Sequence, residues 1–250
     1  MDKKADVEMI KVVFAVLIAA VLLIIAYMIF GNYIKGFFSN EVKTFDSGKI
    51  SPKEIPAEIL DNVKKHESKI NLVLANIQED QLHSKVSKNL IIALVSYTSA
   101  GNQRFISECG SVGIIPLMPS TANIFGLNVF DDSRLIDCSN KAINTDYALK
   151  LKDKIFQMDN EEIKQIDQRF DSDKSIEMGI DYLSRLLKKF NNEEAMALSA
   201  FYMSPDFVEK NCKGGFSSCS EKNKEMKDFV VGILANKKYL DNINFSDKIA

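Results

Sequence analysis

Apolar side chains recur at three- and four-residue spacing along most of this chain, the period of helices with one buried face. Ile59, Leu60 and Val63, then Ile70, Val73, Leu74 and Ile77, predict helix through the first such stretch. Leu90, Ile91, Leu94 and Val95 predict a helix buried on most sides. Tyr147, Leu149, Leu151, Ile155 and Phe156 place another over 146–156. Ile176, Ile180, Leu183, Leu186 and Leu187 form an amphipathic face, and Ala195 to Phe201 a short apolar helix. Met226, Phe229, Val230, Ile233 and Leu234 give the last one. No segment alternates convincingly for more than four residues. The expected class is therefore mostly α, with at most a small β-hairpin near Gly110.

One stretch breaks the amphipathic rule. Val12 to Phe30 is 19 apolar residues without a charge or proline. At about 1.5 Å per residue it reaches roughly 28 Å, enough to cross the hydrocarbon core. A cleaved signal peptide would carry a shorter apolar region of about 7–15 residues ending in small residues, whereas this run ends Tyr27-Met28-Ile29-Phe30. The expectation is an uncleaved transmembrane anchor over 12–33, with Tyr27 and Tyr33 at the interface. Lys3, Lys4 and Lys11 before the span favour a cytoplasmic N-terminal tail, 1–11, and an extracytoplasmic domain. Residues 34–53 read as a tether, and Ser51 with Glu54 three later resembles a helix-starting capping box. The folded domain is expected over 54–245.

Composition narrows the chemistry. The chain has 250 residues, 46% of them hydrophobic, which permits one domain of about 150–200 residues with appendages. A formal net charge of −2 gives no basic surface for nucleic acid. His66 and His83 are isolated, and no Cys-x-x-Cys pair exists, so neither a metal nor another cofactor is expected. Cys109, Cys138, Cys212 and Cys219 all follow the apolar span. In an exported domain an even count suggests two disulfides. Cys109 with Cys138 and Cys212 with Cys219 each close a loop rather than threading the domain. Four buried thiols in a cytoplasmic domain are the alternative.

The most distinctive local sequence is Gly110 to Ala122, Gly-Ser-Val-Gly-Ile-Ile-Pro-Leu-Met-Pro-Ser-Thr-Ala. Two glycines three apart mark a sharp turn, and Ser120 and Thr121 offer caps to a short helix through Ile124. The stretch resembles the Gly-Ala-x-Gly-Leu-Met-Gln-Leu-Met-Pro-x-Thr-Ala signature of lytic transglycosylases with the SLT, goose-lysozyme-like fold. Gly110, Gly113, Leu117, Met118, Pro119, Thr121 and Ala122 match it; Pro116 replaces the usual glutamine. Three further motifs follow the family order. Ser175-Ile176-Glu177-Met178-Gly179-Ile180-Asp181-Tyr182-Leu183 resembles Asn-Ile-x-x-Gly-x-x-Tyr-Leu. Ala197 to Pro205 resembles Ala-Leu-Ala-Ala-Tyr-Asn-Ala-Gly-Pro, with Phe201, Tyr202 and Ser204 for tyrosine, asparagine and glycine. Glu225 to Val230 resembles Glu-Thr-x-x-Tyr-Val, with Phe229 for tyrosine. The resemblance covers about Asn89 to Tyr239.

The family's catalytic helix ends apolar-Glu-Ser, followed shortly by Asn. Here Ser99 and Asn102 match, and Thr98 stands at the glutamate. In the resembled mechanism that glutamate protonates the glycosidic oxygen, then takes a proton from the sugar's 6-hydroxyl as a 1,6-anhydro ring closes. A threonine hydroxyl supplies no proton at neutral pH, and losing general acid–base help costs about 10²–10⁴ in rate. The resemblance thus implies a membrane-anchored domain acting on or binding peptidoglycan-type envelope glycan, catalytically impaired at Thr98. Its groove residues would be Ser99, Asn102, Gly113, Pro116, Met118, Phe201, Tyr202 and Phe229. An active enzyme with a substitute acid such as Glu108 is one alternative. A non-enzymatic scaffold binding envelope proteins, its cleft plugged by Pro116, Phe201 and Phe229, is the other. An open groove near Thr98 would favour glycan binding over the plugged scaffold.

Overall fold

A computed structural model describes residues 49–77, 82–130 and 141–243, with backbone alone at 141–144. The chain divides into two units, Met1–Lys43 and Thr44–Ala250. Residues 1–48, which include the whole first unit, the expected anchor and most of the tether, lie outside the described residues, as does Cys138.

The described chain is helical, in the order α1 (Ala57–Lys64), α2 (Glu67–Asn76), α3 (Lys88–Thr98), α4 (Pro119–Ile124) and α5 (Lys141–Ile155). There follow α6 (Asn160–Ile166), a single 3₁₀ turn (Gln168–Phe170), α7 (Ser172–Lys189) and α8 (Glu194–Tyr202). The last are α9 (Pro205–Asn211), α10 (Phe216–Ser220) and α11 (Lys224–Asn242). Near Gly110 the expected hairpin is reduced to two isolated antiparallel bridges, Ile106 with Val112 and Val112 with Leu117.

Helix α3 is the axis of the core. Leu90 through Val95 are all buried, which explains a run too apolar to show one face. It packs against α11, whose Val230, Ile233 and Leu240 are fully buried, and α7, with Ile180, Leu183 and Leu187 buried, packs against α8. A second apolar cluster lies under the Gly110 loop: Val112, Tyr147, Leu151, Ile155, Ile163 and Phe170.

Two expected helix starts move. The first helix begins at Ala57, not at a Ser51–Glu54 box, and Pro56 precedes it without a side-chain cap. Pro56 disfavours helical geometry at Ile55, so the chain stays extended up to it, and buried Ile55 anchors it. Helix α4 begins at Pro119, with Met118 at the cap position and Ser120 and Thr121 already inside the first turn. Proline suits the first helical position because its missing N–H would lack a helical partner there anyway. The Thr121 hydroxyl instead bonds Tyr182.

Several short helices were not expected from periodicity: α6, α9 and α10 are seven residues or fewer. Helix α6 carries a local sign, since Asp159 accepts from Glu162 N–H at 2.9 Å while Glu162 Oε2 accepts from Asp159 N–H at 3.0 Å. The Cys212–Cys219 disulfide is present and clips α9 to α10.

Candidate functional site

The Gly110–Ala122 stretch is held from three sides. From α3, the Ser99 hydroxyl donates to Ile114 O at 2.7 Å and accepts from Gly101 N–H at 3.2 Å. From α7, Ser175 Oγ accepts from Ile115 N–H at 3.2 Å and donates to Ile115 O at 3.3 Å. Gly113 has φ +104°, and a side chain there would put Cβ 2.4 Å from both Arg169 O and Ser175 Oγ. Gly179 admits Ile115 in the same way: a Cβ would lie 2.4 Å from Ile115 Cγ2.

The third support is buried charge. Arg169 and Asp167 are both fully buried. Arg169 Nε donates to Asp167 Oδ1 at 3.0 Å, and Nη2 to Asp167 Oδ2 at 2.6 Å and the Tyr147 hydroxyl at 2.7 Å. Nη1 donates to Gly110 O at 3.1 Å and Leu117 O at 2.8 Å. All five guanidinium N–H groups are thereby satisfied. Burial works against the charge, but the Asp167 carboxylate and Tyr147 outweigh it and raise the Arg169 pKa. Asp167 also accepts from Phe130 N–H at 3.2 Å. One ion pair thus ties both ends of the turn to the α6–α7 junction. Sequence reasoning missed it. Its only sign was one arginine between the apolar residues Ile166 and Phe170.

Above this loop opens a cavity of about 340 Å³. The end of α3 contributes Tyr97 and Thr98, and the loop contributes Phe105, Glu108, Pro116 and Met118. The end of α8 contributes Phe201 and Tyr202, and α11 contributes Glu225 and Phe229. The Tyr202 and Phe229 rings lie 4.8 Å apart at 37°, and Tyr97 meets Phe229 edge-on at 6.0 Å. Burial, and then Asp228, push the Tyr97 phenol pKa up, and its hydroxyl donates to Asp228 O at 3.1 Å.

Of the groove residues expected from sequence, Thr98, Pro116, Met118, Phe201, Tyr202 and Phe229 line this cavity. Ser99, Asn102 and Gly113 do not. Ser99 is buried and bonded to the loop backbone, and Gly113 is packed under Arg169 and Ser175. Asn102 is exposed, and its Oδ1 closes a turn by accepting from Arg104 N–H at 2.9 Å. Glu108 lines the cavity from the tip of a turn in which Gly110 N–H donates to Ser107 O at 3.1 Å. Tyr97 and Glu225 were not among the expected groove residues. Glu225 was legible only as the first residue of its motif, which says nothing of where its side chain sits.

Thr98 itself is half-buried, and its hydroxyl donates to Leu94 O at 2.7 Å, the back-bond of a helical threonine. The histidines lie apart. His66 Nε2 is 3.2 Å from Gly101 O, and His83 Nε2 is 2.6 Å from Asp181. A second cavity of about 390 Å³ lies between α2 and α7, but its charged walls pair with one another. Asp181 takes Arg185 at 2.9 Å through both oxygens as well as His83, and Lys69 pairs with Glu177 at 3.5 Å.

A loop is thus pinned over a buried helix, with a cleft at that helix's end. The transglycosylase SLT domain family model matches residues 75–163 and 151–223, together more than half of the chain. The chain belongs to that family. Among curated proteins none matches it. The family match ends at residue 223, so Glu225 and Phe229 come from the helix just beyond it.

Proposed function

We propose that this domain binds peptidoglycan-type envelope glycan in the cleft at Thr98 without cleaving it, and that residues 12–30 hold it at a membrane. One observation carries the first half of the reading: the cleft is open beside Thr98, while the Thr98 hydroxyl is bonded to its own helix. Lysis in the resembled mechanism needs a donor at the leaving oxygen and a base at the ring-closing hydroxyl. A threonine hydroxyl does neither at neutral pH. Partly exposed aromatic rings on the walls suit the apolar faces of sugar rings. A cavity of about 340 Å³ also speaks against a cleft plugged by Pro116, Phe201 and Phe229.

A second reading has its own support. Glu108 lines the same cavity as Thr98 and would be the substitute acid of an active enzyme. Incubation with purified peptidoglycan, followed by mass spectrometry of the soluble products, separates the two. The expected result is retention of the protein on the insoluble glycan and no 1,6-anhydro product. Turnover that disappears in Glu108→Gln would overturn the non-cleaving reading and name the acid. Thr98→Glu tests the remaining geometry: weak anhydro product means the positioning contacts survive, whereas misplaced contacts leave the new carboxylate without effect. For the anchor, the expected outcome is full-length protein in the membrane fraction after alkaline carbonate washing. A shortened soluble form starting near Gly31 would instead establish a cleaved leader.

A further inference from the structure

Gly232 sits inside α11, beyond the family match and away from the residues that line the cleft. Glycine within a helix weakens it relative to alanine, so its presence there has a cost unless a neighbour needs the space. The neighbour is Tyr97. A Cβ on Gly232 would lie 2.1 Å from Tyr97 Cε2 and 2.5 Å from its Cζ. Helix α11 fixes the same ring at two further points. The Tyr97 hydroxyl donates to Asp228 O at 3.1 Å, and the ring meets Phe229 edge-on at 6.0 Å. Tyr97 still keeps 36% of its surface exposed, and it lines the cleft directly beside Thr98. An aromatic ring already held in place loses little freedom when a ligand covers it.

We propose that Tyr97 is a glycan contact of this cleft and that Gly232 is its positioning residue. The proposal rests on the glycan-binding reading and names which ring takes a sugar face and what holds that ring ready. A sugar bound beside Thr98 lies against Tyr97, because the two are consecutive residues on one wall of the cavity. Gly232 touches no ligand and acts only through the ring. Val230 and Ile233, both fully buried, fix α11 in the core, so a methyl group at 232 displaces the half-exposed ring rather than the helix. The displaced ring gives up its bond to Asp228 O and its contact with Phe229, and with them its place in the wall.

The test is a double-mutant cycle on the full chain in detergent, read by co-sedimentation with increasing amounts of purified insoluble peptidoglycan and, in parallel, by thermal unfolding. Tyr97→Ala should weaken retention about tenfold, a loss typical of an aromatic side chain that contacts a ligand. Gly232→Ala should weaken it comparably, and the double substitution should be no weaker than Tyr97→Ala alone, since both act through one ring. Gly232→Ala should also lower Tm in the native background and not in the Tyr97→Ala background, where the helix gains a better former and meets no ring. If Gly232→Ala alone does not fold, recovery of the fold in the double substitution supports the same coupling, Tyr97→Ala carries the binding measurement, and no recovery overturns the proposal. Retention of Tyr97→Ala equal to the parent's, no loss in a folded Gly232→Ala, or the same loss from Gly232→Ala in both backgrounds overturns the proposal and leaves glycan binding standing. A parent chain that peptidoglycan does not retain overturns both.

Discussion

Replacing Asp167 by asparagine keeps the side chain's shape and removes its charge. In the native protein one carboxylate oxygen accepts from Arg169 N–H and Nε–H, each at 3.0 Å. The other accepts from Arg169 Nη2 at 2.6 Å and Phe130 N–H at 3.2 Å. An asparagine offers one acceptor oxygen, so whichever way its amide turns, two of these donors face an NH₂ group. Arg169 is left as an uncompensated charge at 0% exposure. Breaking a buried pair from one side costs about 3–5 kcal/mol, a large part of the roughly 5–15 kcal/mol that holds a typical domain folded. For a domain of this size that corresponds to a fall in Tm of roughly 6–20 °C. Thermal unfolding followed by circular dichroism reads it directly. Hydrogen exchange adds the location, because Arg169 also bonds Gly110 O and Leu117 O. Protection of the Val112 and Leu117 amides, which exchange bonds across the turn at 3.1 Å, should fall with it. A Tm within about 2 °C of the parent protein would refute the reasoning. Asp167→Leu with Arg169→Met should recover part of the loss, because it removes both charges rather than stranding one.

Two more consequences follow from close packing and burial. Gly179→Ala should destabilise by about 1–3 kcal/mol through the clash with Ile115 Cγ2 and Cβ, measured as a shift in the urea midpoint; a midpoint equal to that of the parent protein would contradict the close approach. Burial raises the Tyr182 phenol to about 12, with the Thr121 hydrogen bond opposing it. Because the folded pKa lies above the unfolded one, this contribution is fully present below about pH 10 and is lost as pH rises through the folded value. Between about pH 9 and 12 the native protein should therefore lose roughly 2 kcal/mol more stability than Tyr182→Phe. Parallel pH profiles for the two proteins would contradict the assigned burial.

Much of the helical architecture was legible because helices announce themselves locally. The apolar spacing of Ile176, Ile180, Leu183 and Leu187 needs only the chain's own period to predict one buried face, and all four are buried. Gly179, by contrast, weakens its helix taken alone, and only the packing of Ile115 against it shows what the glycine admits. Helix α10 escaped because five residues, Phe216–Ser220, are too short to show a period. The starts of α1 and α4 were misplaced because serine and threonine were given weight as caps where proline geometry decided the boundary.

The sequence by itself determined the helical class, the sharp turn at Gly110–Gly113 and the motifs that place the chain among SLT domains. Each is a property of neighbouring residues, and backbone sterics and side-chain periodicity act at that range. Tertiary structure alone decided what the polar residues do. Ser99 and Thr98 are adjacent in sequence, yet one hydroxyl is buried against Ile114 while the other residue lines the cavity. Arg169 finds its carbonyl partners 59 and 52 positions away, and Glu108 and Glu225 meet at one opening only after α11 packs on α3. A side chain's periodicity reports whether it is buried, but its partner depends on which distant elements the folded core brings together.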